Sequence, residues 1–170
     1  TPLVVDERAD DVVIAGVTLD AGTVSSRNLL RIEGPTSGGT DRRTTPTTTL
    51  NDVYIRVGGP HVGRVDVAMR IEADDVLVDH AWVWRADHGV EGFTAGASGD
   101  TDRWLTNTSR VGLVVTGDRV HATGLFVEHF QQHNTIWQGE DGHVVLYQNE
   151  LPYDPPSQAA WSRPGGVKGY

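Results

Sequence analysis

The sequence predicts an all-β protein, a right-handed parallel β-helix in which short strands stack coil on coil. Three observations carry that expectation. Gly accounts for 20 of 170 residues and Val, Thr and Asp are abundant, which favours short strands and turns. No apolar pattern of period 3.6 runs beyond about two turns, so long helices are not expected. One apolar pattern returns at intervals in the low twenties or at nearly twice that, the signature of a solenoid.

The first coil is Val12-Val13-Ile14-Ala15-Gly16-Val17-Thr18-Leu19-Asp20, after Asp10-Asp11. With Val12 as zero, apolar residues fall at 0, +2, +5 and +7, around a small-residue corner at +3/+4. This alternation turns apolar side chains into two faces of a coil. A strand at Leu29-Leu30-Arg31-Ile32 follows, then a polar, Thr-rich insertion near 34–50. The pattern restarts at Val53 and Ile55 after Asn51-Asp52. The next strand is Ala68-Met69-Arg70-Ile71, and Val76, Val78, Ala81 and Val83 repeat the coil. A second insertion lies near 89–109, before the strand Gly112-Leu113-Val114-Val115. Further coils begin at Val120 and Val144. Origins at 12, 53, 76, 120 and 144 give intervals of 41, 23, 44 and 24 residues. Asp or Asn before a coil suits a turn, because its side chain bonds neighbouring backbone groups. A leucine-rich repeat lacks its consensus here; a β-sandwich also has short, regularly spaced strands and stays open at this point. We read residues 1–170 as one β-helix domain segment, expected to continue into further coils of a longer chain. Tyr153-Asp154-Pro155-Pro156 is expected to end the repeat, since two prolines cannot continue a central strand.

Composition narrows function. A net charge of −9 argues against nucleic acid or an anionic membrane as partner, and disfavours a strongly anionic substrate. There is no apolar run of 18 residues. With Cys 0, disulfides, zinc–thiolate sites and cysteine nucleophiles are excluded. The seven His are scattered without HExxH spacing, and no Gly-rich phosphate loop or Gly-x-Ser-x-Gly elbow occurs. No metal and no cofactor is expected. A neutral sugar polymer fits this balance.

Positions +6 and +8 point outward if +5 and +7 point in. On the origins above, +6 collects Thr18, Trp82, Phe126 and Glu150, and +8 collects Asp20, Trp84 and Glu128. Aromatic faces suit the C–H faces of sugar rings. Glu128 and Glu150 then differ by one coil and two residues, about 8 Å between Cα atoms, a spacing compatible with an inverting glycosidase. Plainer readings exist: Trp82 and Trp84 packing under the second insertion, and two glutamates aligned by chance. Asp87-His88 and Glu128-His129 follow strand ends, where they tune a proton-transfer group or cap the strand.

Trp82-Val83-Trp84-Arg85-Ala86-Asp87-His88-Gly89, Gly124-Leu125-Phe126-Val127-Glu128-His129 and Tyr147-Gln148-Asn149-Glu150-Leu151-Pro152-Tyr153-Asp154-Pro155-Pro156 resemble a group of secreted actinobacterial β-helix proteins, often labelled coagulation factor 5/8 type or adenylyl cyclase proteins. That group is similar to glycoside hydrolase family 55, β-1,3-glucanases built from pectin-lyase-like β-helices. The resemblance runs from about Val12 to Trp161. It implies an extracellular, metal-free, inverting glycosidase. Asn149-Glu150-Leu151-Pro152-Tyr153 matches the general-acid motif, with Asn149 and Leu151 where the family has Thr or Ser. Glu150 thus inherits the acid role, and Glu128 a part in catalysis, by positioning water or substrate. Trp82, Trp84, Phe126, His129, Trp137, Asp141, Gln148 and Tyr153 are the substrate-binding candidates, with Asp141 also a candidate second carboxylate. The acid is expected to sit among apolar neighbours such as Trp82 and Phe126. The expected function is hydrolysis of a neutral β-glucan. The alternative is a non-catalytic polysaccharide-binding or cell-surface module.

Overall fold

The computed structural model describes residues 1–34, 48–59, 61–88 and 103–170. Among the described residues there are ten strands: β1 (Leu3–Val5), β2 (Val12–Asp20), β3 (Ser26–Ile32), β4 (Thr48–Val57), β5 (Arg64–Ile71), β6 (Val76–Arg85), β7 (Thr108–Val115), β8 (His121–Glu128), β9 (His133–Trp137) and β10 (His143–Glu150). Two single-turn helices, α1 (Arg103–Thr106) and α2 (Gln158–Trp161), complete them. Odd strands form one sheet in the order β1-β3-β5-β7-β9, and even strands the other, β2-β4-β6-β8-β10. Every pairing is parallel. Parallel neighbours need a long return connection. Here the strand of the opposite sheet supplies it, and the result is the expected parallel β-helix.

The even strands bend at one shared corner. Gly16, Asp52, His80, Gly124 and Leu146 are register equivalents, and all have left-handed backbone, with φ of 63°, 50°, 61°, 62° and 64°. Each acts as an extra residue that resets the alternation, much as a bulge does. That is why +2 and +5, an odd step apart, both face inward. Ile14, Leu50, Val78, Ala122 and Val144 stack on one side of the corner. Val17, Val53, Ala81, Leu125 and Tyr147 stack on the other. Leu30, Ile32, Met69, Ile71, Leu113 and Val115 of the odd sheet close the same core. A second left-handed column, Asp11, Asp75, Arg119 and Asp141, turns the chain into β2, β6, β8 and β10.

The register corrects two of the expected coil origins. Val53 pairs with Val17 and Ala81, so it stands at +5; its coil starts at Thr48. Val144 pairs with Ala122 and stands at +2, so the last coil starts at Gly142. An apolar-x-apolar pair occurs twice per strand, and a coil whose zero position is Thr or Gly hides its start. The 34–50 insertion thus overlaps β4, and the 89–109 insertion overlaps α1 and β7; residues 35–47 and 89–102 lie outside the described residues. Nor does the repeat end at the prolines. After α2, Lys168 bridges His133 in parallel, and Thr135 N donates to Gly169 O at 3.1 Å, so the chain rejoins the odd sheet beside β9. No helix among the described residues is long and apolar enough to cross a membrane.

Candidate active site

The site lies where β6, β8 and β10 end. Two outward rows cross the strands there. One is Thr18, Tyr54, Trp82, Phe126 and Gln148; the other is Asp20, Arg56, Trp84, Glu128 and Glu150. Glu150 is therefore the direct register partner of Glu128, not a residue offset by two along the strand. Gln148 takes the place in the aromatic row that the sequence pattern gave to Glu150.

Like charges on neighbouring rungs are unfavourable, and neutral donors offset them. Gln148 Nε2 donates to Glu128 Oε1 at 3.0 Å and to Glu150 Oε1 at 2.9 Å. The two bridged oxygens are therefore within about 6 Å of each other, short of the roughly 6.5–9.5 Å that leaves room for an inverting enzyme's water. Trp82 Nε1 donates to Glu128 Oε2 at 2.8 Å. The Tyr153 hydroxyl donates to Glu150 Oε2. This bond, with burial and the Glu150 charge behind it, raises the phenol above its ordinary range and keeps it protonated. Glu150 thus rests on an amide, a phenol and a nearby imidazole, not among the apolar neighbours expected. Glu128 is buried, and the Glu150 side chain is 38% exposed, open to a ligand. Trp82 is exposed and stacks on Trp84, with centroids 5.5 Å apart. The half-buried Phe126 ring lies beside Gln148 in the same row.

His129 joins this surface to a buried layer. Its Nε2 lies 3.8 Å from Glu150 Oε2 and 4.0 Å from Glu128 Oε2, and its Nδ1 lies 3.2 Å from Asp87 Oδ2. Asp87 is fully buried and holds three segments at once. Its Oδ2 also accepts the Tyr153 backbone N–H at 2.6 Å, and its Oδ1 faces His88 Nδ1 at 2.5 Å. Burial alone would raise this carboxyl. The hydrogen bonds from His129 and Tyr153, the charge of His129 and the His88 contact outweigh it and hold Asp87 below the usual carboxylate range. Asp87, His88 and His129 are also the described set whose metal-ligating atoms converge, within 4.8 Å. Both Nδ1 atoms face Asp87 oxygens, a geometry that hydrogen bonding accounts for.

Below this layer Arg85 and Asp154 form an ion pair with both side chains fully buried. Arg85 Nη1 reaches Asp154 Oδ2 at 3.1 Å and Asn107 O at 3.0 Å, and Nε donates to His129 O at 2.5 Å. The pair clamps the Pro152–Asp154 segment, and hence Tyr153, against the end of β6. Asn134 Nδ2 donates to Glu150 O at 2.8 Å and its Oδ1 accepts from Phe130 N at 3.0 Å, fixing the backbone on which Glu150 stands. Gly112 makes room: a Cβ there would lie 2.6 Å from the Phe130 ring.

Eight of the expected site residues meet here: Glu150, Glu128, Trp82, Trp84, Phe126, His129, Gln148 and Tyr153. Trp137 and Asp141 do not. They line a separate cavity of about 340 Å³ with His143 and Tyr170, at the other end of β10 from Glu150 and roughly 20 Å or more away. The reason is direction: Asp141 turns the chain into β10, and Glu150 ends it. Arg85, Asp154, Asn134 and the hub role of Asp87 were not singled out from sequence. Arg85 carried a signal, since it follows an apolar alternation at the position Val57 occupies one rung earlier.

Comparison with known proteins agrees with this architecture. The family model of the LAM55 pectate lyase-like domain matches residues 1–150. An exo-beta-1,3-glucanase from Streptomyces sp. (strain SirexAA-E / ActE) is 43% identical over 161 residues, covering 95% of this chain and 24% of that protein. The structure of sacteLam55A from Streptomyces sp. SirexAA-E superposes with a TM-score of 0.77 at 42% identity, over 95% of this chain and 27% of that one. A Glu-to-Ala variant of the same protein, refined in complex with glucose, gives 0.78 at 41% with the same coverage. The chain thus spans about a quarter of the length of the relatives it matches.

Proposed function

The chain belongs to the LAM55 pectate lyase-like domain family, and from that premise we propose that it carries the acid-bearing part of a glycoside hydrolase acting on β-1,3-glucan. The carrying observation is the carboxylate pair. Glu150 stands half open at the strand ends, held by Gln148 and Tyr153, with an exposed Trp beside its partner. In this reading protonated Glu150 passes its proton to the leaving glycosidic oxygen. Tyr153 and Gln148 fix its orientation, and Trp82 and Phe126 take the apolar faces of glucosyl rings. The Streptomyces relative is an exo-beta-1,3-glucanase, and a Glu-to-Ala variant of it was refined with glucose; both fit a glutamate at the centre of this site.

Glu128 receives a different role from a general base. It is buried, engaged by Trp82 and Gln148, and too near Glu150 to leave a water between them. It holds the Gln148 amide and the Trp82 indole in place beside the acid. Inversion then draws its water-activating group from elsewhere in the full-length protein. That protein works outside the cell, where polymeric glucan is found, and further coils complete the groove.

The test is sugar release from laminarin-type β-1,3-glucan by the full-length protein and its Glu150→Gln variant. We expect release by the wild type, an α-anomer formed first, and loss of release in the variant with binding retained. Binding without release by the wild type would leave a polysaccharide-binding module instead.

A further inference from the structure

A second cluster lies at the opposite end of the same strands. His121 opens β8 and His143 opens β10, and the two are register partners on adjacent rungs. Their Nδ1 atoms are 2.7 Å apart and their ring centroids 4.2 Å, tilted by 52°. Two imidazole nitrogens at that distance share one proton: one ring donates and the other presents a lone pair. When each ring carries its proton on Nε2, both Nδ1 lone pairs face the gap between the rings. The pair lies seven residues along β8 from Glu128, roughly 20 Å away, and has no part in the site above.

We propose that His121 and His143 form a surface site for one borderline divalent cation of the Zn²⁺, Ni²⁺ or Cu²⁺ class, bound through both Nδ1 atoms once the donating ring carries its proton on Nε2 instead. Imidazole nitrogen suits those metals over Mg²⁺ or Ca²⁺. Zn–N bonds of about 2.0–2.1 Å in tetrahedral geometry set two nitrogens roughly 3.4 Å apart. The present separation reaches that by less than about 1 Å of ring movement. The β ladder fixes the two backbones on neighbouring rungs, so the site needs little ordering on binding. Water fills the other positions. Glu140 and Asp141, three and two residues before His143, line the same cavity as His143 and add negative potential there. This proposal stands apart from the glucanase reading.

The experiment is calorimetric titration of the tag-free chain with ZnCl₂, beside His121→Gln, His143→Gln and His88→Gln variants. The last controls for the Asp87–His88–His129 cluster. We expect one saturable site, weakened at least about tenfold by either of the first two changes and unaltered by the third. In the wild type, Zn²⁺ should shift the ring NMR signals of His121 and His143 and leave those of the other histidines in place, a readout independent of how the variants fold. The proposal is overturned if no binding is detected, if His121→Gln and His143→Gln bind as the wild type does, or if only His88→Gln removes the site.

Discussion

Along one outward row, Asp20, Arg56, Trp84, Glu128 and Glu150 occupy successive rungs. At the β2 end Asp20 and Arg56 face each other with two hydrogen bonds of 2.7 Å. At the β10 end, two glutamates stand where that ion pair would. Among the described residues neither contacts a Lys or Arg; amide, indole and phenol donors hold them instead. The scaffold is the same, and the difference is what answers the charge. A guanidinium locks a carboxylate as an anion. Neutral donors position it without bringing a full opposite charge beside it. The odd sheet follows the first pattern on its outer face, where Arg31 pairs with Glu72 and Arg110 with Asp66 across rungs. The proposed acid sits where that pattern is suspended.

The contrast can be broken outright. Glu150→Gln should lower turnover by roughly 10²–10⁴-fold with little change in melting temperature. Gln148→Arg would carry the ion-paired arrangement into the site. It should cost turnover on the same order while leaving the melting point equal or higher, and an active Gln148→Arg enzyme would sink the distinction. Arg85→Met tests the buried layer: stranding Asp154 should cost about 3–5 kcal/mol by urea denaturation, with much of it restored by Asp154→Leu in the same chain.

Asp87 sharpens the comparison through pH. Its folded pKa lies below its unfolded one, so its carboxylate stabilises the fold above the unfolded value near pH 4. That contribution is lost as pH falls through the lower folded value. Asp87→Asn should flatten the acid limb of a melting-temperature profile below about pH 4, and an unchanged limb would contradict the assignment. The smallest effect belongs to the ordinary end of the row. Arg56→Ala should cost about 0.2–1 kcal/mol, and less in high salt.

The strands were legible because burial repeats: positions 0, +2, +5 and +7 of the even coils face the core, and apolar residues fill most of them. Register was less legible. Thr48 at a zero position is buried all the same, and Leu146 sits exposed at the left-handed corner, so hydropathy points to the wrong residue in both. The local motif around Glu150 survived that error because it does not depend on rung alignment. The distance to Glu128 did not survive it. Arg85 with Asp154 and Asn134 with Glu150 join residues 69 and 16 positions apart, and no local spacing encodes such partnerships.

The left-handed corner has a consequence for heredity. Successive even coils begin 36, 28, 44 and 22 residues apart, yet their corners coincide. Connector length and strand alignment are inherited independently. A lineage can lengthen the segment between β6 and β7 without moving the carboxylates. One residue gained inside Val144–Leu146 would instead turn Glu150 toward the core. Descendants of this fold are free to diverge in their connectors, while their strands are held to length.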